Sequence, residues 1–270
     1  MVPITDARLG SLDLHLRGRT ALVTGSTGGI GHAVAARLAA AGCDVVLHGP
    51  GAPAEAAPAL VGLERLCGRS VRYLRADLTL LTEIEAMVAA LGPIDILVNN
   101  AATRHFGPIE ATTPAAWDTD LAVNLSAAFH LIRLTLPGMR ERGWGRIVNM
   151  SSIYGLTGTA DRVGYVTTKT ALIGLTRAVA LETASSGITC NALCPGTTLT
   201  PNIEERIRAA MAGSGLGREE AEARQLEGKQ PSSRFVDADA VGAMVAFLCS
   251  PAGRDITGAA LPMDGGWSAA

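Results

Sequence analysis

The sequence predicts an α/β domain built on a doubly wound parallel sheet with helices on both faces. Three observations predict it. Short aliphatic runs at Thr20–Thr24, Asp44–His48, Val71–Arg75 and Ile94–Val98 alternate with helical stretches through the first hundred residues, the pattern of successive βαβ units. Hydrophobic residues make up 48% of the chain but aromatic residues only 4%, so the core is aliphatic, which suits buried parallel strands under Ala-rich helices. No repeat, low-complexity tract or linker interrupts the 270 residues, which suits one large domain. The expected fold is therefore a single-domain, Rossmann-like sheet.

Composition also narrows the partners. Net charge is −2 with no basic block, which argues against nucleic acid and anionic membrane surfaces. No apolar run reaches the ~18 residues of a spanning helix. Asp6, Arg8 and Asp13 stand where a signal peptide needs an apolar stretch, so a cytoplasmic protein is expected. Cys43, Cys67, Cys190, Cys194 and Cys249 are odd in number and lack metal-type pairing. They read as small buried hydrophobes in a reducing compartment, with no metal site.

Thr20–Thr24 runs into TGSTGGIG and then HAVAARLAAAG, which reads as strand, glycine-rich turn and helix, with Gly42 as the stop. Gly25 allows a sharp turn, while Gly29 and Gly31 let the backbone approach a pyrophosphate and the helix pack on the strand. Free N–H groups at the helix start favour the phosphates. The spacing is Gly-x-x-x-Gly-x-Gly rather than Gly-x-Gly-x-x-Gly. Residues 18–270 are read as a dinucleotide-binding domain, and 1–17 as an N-terminal extension.

The second strand, Asp44–His48, ends in His48-Gly49-Pro50-Gly51. It offers neither an acid for a ribose 2′-hydroxyl nor an arginine for a 2′-phosphate. With no cation at that turn, NAD is favoured over NADP. His48 either bonds a ribose or sits on the surface at the strand end. Pro53–Cys67 is helical, and Val71–Arg75 leads to Asp77-Leu78, where the aspartate caps the next helix or accepts from an adenine amino group. Glu83–Leu91 is helix, and Ile94–Val98 delivers Asn99-Asn100-Ala101-Ala102. Ligands of such sheets bind beyond the carboxyl ends of the strands, where all these motifs fall.

Trp117–Arg142 reads as one long helix with Asn124 in its middle, where a buried amide needs partners. Arg146–Met150 is the fifth strand and presents Ser151-Ser152. Arg162–Ser185 is a helix, and Gly187–Leu193 leads to a strand end at Pro195-Gly196. Thr200–Gln225 is charged, helical in places and interrupted by Gly213, Gly215 and Gly217, which suggests a lid at about 197–230. A helix over Asp237–Cys249 and a strand over Ala259–Met263 complete the chain.

Ser152, Tyr165 and Lys169 organise this arrangement. Tyr165 and Lys169 are one helical turn apart and share a face. A phenol titrates near ~10, too high for good proton transfer at neutral pH. A neighbouring ammonium favours the phenolate, and a serine hydroxyl at the preceding strand end can hold the substrate oxygen.

Taken together, TGSTGGIG, Asp77, Asn99-Asn100-Ala101, Asn124, Ser152, Tyr165, Lys169 and Pro195-Gly196 resemble the short-chain dehydrogenase/reductase family in order and spacing, from about residue 18 to the end. Ala102 stands where the family has glycine. The resemblance implies an NAD(P)-dependent oxidoreductase acting on CH–OH, which interconverts a secondary alcohol and a ketone by hydride transfer. It implies Tyr165 as general base or acid, and Lys169 as the cation that lowers its pKa and bonds the nicotinamide ribose. Ser152 would position the substrate oxygen, and Asn124 would hold a water for proton relay. By the same resemblance Gly25, Thr27, Gly29, Ile30 and Gly31 cradle the pyrophosphate, and Asp77 and Leu78 meet the adenine. Asn99 and Ala101 meet the ribose side, while Pro195, Gly196, Thr198 and Thr200 meet the nicotinamide amide. A homotetramer is also implied.

Within the family, VVLHGPG at 45–51, ALETASSGITCNALCPG at 180–196, EGKQPSSRFV at 227–236 and the terminal DGGW resemble bacterial NAD-dependent D-3-hydroxybutyrate dehydrogenases. Those enzymes also lack the strand-two acid. The substrate pocket departs from them: Arg104 and Arg206 replace glutamines, Tyr154 a histidine, Arg162 a lysine and Thr197 a tryptophan. Arg104, Ser152, Tyr154, Arg162 and Arg206 form the expected substrate site. A guanidinium grips carboxylate or phosphate in a bidentate fork. The expected substrate is therefore an anionic hydroxy acid, 3-hydroxybutyrate-like or larger, with doubly anionic acids, sulfonates and phosphate esters included. The alternative is an NADPH-dependent 3-oxoacyl-type ketoreductase. A catalytically silent binding module would have no reason to keep Asn124, Ser152, Tyr165 and Lys169 together.

Overall fold

The β-rich runs of the sequence pair as strands in the computed structural model, which describes residues 14–270. The strands are β1 (Thr20–Val23), β2 (Asp44–Gly49), β3 (Arg72–Arg75), β4 (Ile96–Asn99), β5 (Gly145–Met150), β6 (Ile188–Pro195) and β7 (Ala260–Met263). All pair in parallel in one seven-stranded sheet of order β3-β2-β1-β4-β5-β6-β7. The chain winds outward in both directions from the β1–β4 neighbours, and that reversal opens a crevice beyond the strand ends.

Alternate strand residues feed two cores, as a pleated strand requires. Ala21, Val23, Val45, Leu47, Ile96 and Val98 face α1 (Gly29–Ala40), α2 (Pro53–Cys67) and α9 (Ala238–Cys249). Leu22, Val46, Leu97 and Ile147 face α3 (Leu81–Leu91), α5 (Ala127–Glu141) and α6 (Val163–Thr183). The molecule is thus a single-domain, doubly wound α/β fold. Of the expected extension, residues 1–13 lie outside the described residues, and Leu16 is fully buried in the first core.

One element differs from the sequence reading. The expected single helix over Trp117–Arg142 begins earlier, as α4 (Pro114–Leu121), because the Thr113 hydroxyl accepts from Ala116 N and Pro114 occupies the first turn. It then widens into a π-helical turn, Ala122–Ser126, before α5. Asn124 sits in that turn. The segment after β6, read as helical in places, folds as α7 (Pro201–Ser214) and α8 (Arg218–Leu226), clamped by Arg218 between Glu204 (2.8 Å) and Glu222 (2.7 Å).

Among the described residues no helix is long and apolar enough to cross a membrane, and no group of histidine, cysteine and carboxylate side chains could hold a metal. All five cysteines are free; Cys67 is half-buried and the other four are buried.

Candidate active site

The glycine turn between β1 and α1 is strapped from three sides. Gly25 and Gly29 have φ of +60° and +55°, a region that strains any side chain. A Cβ on Gly31 would stand 2.4 Å from Gly25 O and 2.5 Å from Asn100 Nδ2, so that position requires close approach. Asn100 Nδ2 donates to Thr24 O (2.9 Å) and Gly25 O (3.0 Å), while Thr24 Oγ1 accepts from Asn100 N and Ala101 N. The end of β4 therefore shapes the turn.

The third strap is His48. The sequence reading set it at a ribose or on the surface; it does neither. It is 1% exposed. Nδ1 accepts from Gly25 N (3.1 Å), which puts the ring proton on Nε2, 3.1 Å from Ala76 O. Burial pushes its pKa down to about 4, against the raising effect of the Ala76 bond.

These residues fit a dinucleotide. The start of α1 has no capping side chain and no acid in its first turn, and open space surrounds Gly28 where a Cβ would stand. Its N–H groups are left for an external anion. Thr200, which opens α7, comes within 3.5 Å of the Cβ position of Gly29, so the segment after β6 meets the turn. Asp77 does not cap α3, whose N-cap is Leu80. Its Oδ1 accepts from Thr79 N (2.9 Å) and Thr79 Oγ1 (2.7 Å), and these bonds hold its carboxyl below the usual range. Leu78 beside it is buried.

The expectation of no cation near the end of β2 needs correction. Arg75, on β3, donates from Nε to Pro50 O (3.1 Å) and pairs with Glu83 at 3.4 Å. The sheet brings it there across strands, which no local reading of β2 could show.

Tyr165 and Lys169 lie on the first turns of α6, 5% and 2% exposed. Lys169 Nζ donates to Met150 O (2.7 Å) and lies 5.5 Å from the Tyr165 ring centre. Ser152, at the end of β5, accepts from Tyr154 N (3.2 Å), and its hydroxyl is among the groups that lower the Tyr165 pKa. Burial raises the phenol, but the Lys169 and Arg104 charges and hydrogen bonds from Ser152 and Arg104 outweigh it, so Tyr165 sits below the ordinary phenol range. Burial likewise pushes Lys169 down, opposed by Tyr165.

The Asn124 side chain is engaged within the protein. Oδ1 accepts from Thr103 N (2.8 Å), and Nδ2 donates to Thr103 O and Thr168 Oγ1, both at 3.1 Å. It ties the loop after β4 to α6. Asn99 pairs with Asn149 (2.8 Å) beneath α6.

One cavity, enclosing about 130 Å³, joins Ser152, Tyr154, Tyr165 and Lys169 to Ile30, Pro195, Gly196, Thr198 and Thr200. Arg104, Arg162 and Arg206 line it, as the sequence suggested, and so do Gln225, Lys229 and Trp267, which it did not. Trp267 packs edge-on against Tyr154, ring centres 5.4 Å apart. A tryptophan beside a double glycine in an aromatic-poor chain was the available signal for it; Lys229 had none. Gly107 N donates to Asp161 O (3.0 Å), which sets Phe106 beside Arg162.

Comparison with known proteins agrees with this geometry. The D-beta-hydroxybutyrate dehydrogenase of Cupriavidus necator is 44% identical over 260 residues, 94% of this chain and 99% of that protein. The protein of the same name from Rhizobium meliloti is 40% identical over 255 residues, 93% of this chain and 99% of its own. Among solved structures, L-sorbose reductase from Gluconobacter frateurii, complexed with NADPH and L-sorbose, superposes with a TM-score of 0.91 at 28% identity, covering 96% of this chain and all of that one. The short chain dehydrogenase family matches residues 19–211. The chain belongs to that family and is an NAD(P)-dependent oxidoreductase acting on CH–OH.

Proposed function

We propose that the chain interconverts a secondary alcohol and a ketone on an anionic hydroxy acid, with NAD as the preferred cofactor. One observation carries the reading: a buried phenol, with Ser152 beside it and Lys169 and Arg104 flanking its ring, shares its cavity with Arg162 and Arg206. When bound, the nicotinamide supplies the hydride acceptor or donor. Gly25, Thr27, Gly29, Ile30 and Gly31 would hold the pyrophosphate, and Asp77 and Leu78 the adenine side. Asn99, Ala101 and Lys169 would meet the ribose side, and Pro195, Gly196, Thr198 and Thr200 the amide.

In oxidation, Ser152 Oγ donates to the substrate oxygen and turns its hydroxyl toward Tyr165. The phenolate takes the proton while Lys169 holds it in the charged form. In reduction the phenol returns the proton, and the Ser152 bond strengthens as charge develops on oxygen. Asn124 fixes the loop after β4 against α6. Tyr165→Phe is expected to lower kcat by ~10²–10⁴ with cofactor affinity unchanged by fluorescence titration. A near-normal rate would remove Tyr165 from the chemistry.

Glu83 occupies Arg75, which supports NAD over NADP. The proximity of Arg75 to Pro50 favours a second reading, an NADPH-dependent 3-oxoacyl-type ketoreductase. Initial rates of D-3-hydroxybutyrate oxidation with NAD and with NADP separate the two: a clear NAD preference supports the first, and an NADP preference the second. We further read 18–270 as the dinucleotide-binding domain, the segment at about 197–230 as a substrate lid, and the protein as a cytoplasmic homotetramer. Exposed Phe129 on α5 and Leu181 on α6 support subunit contacts, which light scattering would test.

A further inference from the structure

Three cations from three segments meet at the cavity without a counter-charge. Arg162 precedes α6, Arg206 lies on α7 and Lys229 follows α8. The Arg162 and Arg206 guanidinium carbons lie 4.8 and 5.4 Å from the centre of the Phe106 ring, and Arg162 also lies 5.2 Å from that of Tyr154. Aromatic faces hold guanidinium groups by cation–π attraction and leave their N–H forks open. Lys229 is held below the ordinary lysine range by burial and by the nearby charges of Arg162 and Arg206.

Among the described residues none of the three forms a salt bridge with a carboxylate. The contrast with their neighbours is sharp. Arg208 and Arg218, on the same pair of helices, both pair with Glu204. Like charges gathered in a partly dry site destabilise one another unless an anion joins them. Arg104 lines the same cavity at the reacting end, 5.1 Å from the Tyr165 ring centre, and brings the cations there to four. A carboxylate close to the reacting carbon answers Arg104 and leaves the other three cations unanswered.

We propose that the substrate carries two anionic groups: it is a small hydroxy acid bearing, besides its carboxylate, a second carboxylate or a phosphate held by Arg162, Arg206 and Lys229. This rests on the hydroxy-acid reading above. The redox step is that of any secondary alcohol. The carbinol carbon loses a hydride to the nicotinamide, the hydroxyl loses its proton to Tyr165, and the second anionic group stays intact in the ketone.

The test measures kcat/KM of the full chain, with NAD and NADP each supplied, on D-3-hydroxybutyrate, 3-hydroxyglutarate and 3-hydroxy-4-phosphonooxybutanoate. 3-Hydroxyglutarate is 3-hydroxybutyrate with a carboxylate on its terminal carbon; the third compound carries a phosphate there. At least one of the two-anion compounds is expected to exceed the monoanion by about tenfold or more, and which one does so identifies the second group. Arg206→Gln and Lys229→Gln are each expected to shrink that ratio by about tenfold. As a reading that needs no variant, glutarate should inhibit the unaltered enzyme about tenfold more tightly than butyrate. A monoanion preferred over both two-anion compounds, or a ratio unmoved in both variants, overturns the inference and leaves the hydroxy-acid reading standing. No turnover of any of the three overturns both.

Discussion

Burial alone would make Tyr165 a poorer base, because a phenolate is disfavoured away from water. Its pKa nonetheless lies below the ordinary phenol value, so nearby charge decides the matter. Lys169 was legible in the sequence, since four residues on one helix is a fixed geometry. The second cation, Arg104, arrives on the loop after β4, and only the fold sets it 5.1 Å from the ring centre. Removing that charge must raise the Tyr165 pKa. Arg104→Gln is therefore expected to move the rising limb of the kcat–pH profile for alcohol oxidation to higher pH, because the phenolate then forms later. Arg104→Lys should bring the limb back, since it restores the charge. A limb unmoved in Arg104→Gln would leave Lys169 and Ser152 as the groups that tune Tyr165. Lys229 and Arg75 likewise reach their places across the fold, and no local pattern marks such residues.

At the scale of elements, the strands and most helices followed from aliphatic runs and glycine stops, and the glycine turn from its own sequence. The π-helical turn at Ala122–Ser126 did not, because one extra residue in a helix leaves no mark on hydrophobic periodicity. His48 was misjudged for a related reason, since a strand end reads as surface until the loops beyond it are known. The ring joins the turn after β1 to the end of β3 only when neutral, because a proton on Nδ1 would face the Gly25 N–H. Its folded pKa of about 4 lies below the ordinary 6.5. Its contribution is thus complete above about pH 6.5 and is lost as the pH falls toward 4, amounting to about 3 kcal/mol over the window. Thermal midpoints should decline across that range together with cofactor affinity. In His48→Gln the decline should flatten, and an equally steep decline there would assign the acid sensitivity to another group.

The whole molecule sets the cofactor helix against one face of the sheet, and α9 is what holds it there. Arg37 on α1 forms an ion pair with Asp239 on α9, but the pair is exposed and such contacts contribute little. Contact between the two helices is closer at Gly242, where an added Cβ would stand 2.7 Å from Ala33 O and 2.9 Å from Arg37 Cγ. Gly242→Val must therefore push α1 away or distort it. Overpacking of this kind costs about 1–3 kcal/mol, a fall in Tm of roughly 2–10 °C for a chain of this size. Because the start of α1 is the proposed phosphate cradle, the same substitution should weaken NAD binding, whereas a lesion confined to the core would lower Tm alone. Gly174 on α6 provides the control, since nothing lies within 4 Å of its Cβ position. Gly174→Ala should leave cofactor affinity unchanged and raise stability by about 0.4–1 kcal/mol. If Gly242→Val lowered Tm while its NAD affinity matched that of Gly174→Ala, the coupling of the α1–α9 seam to the cofactor site would be refuted.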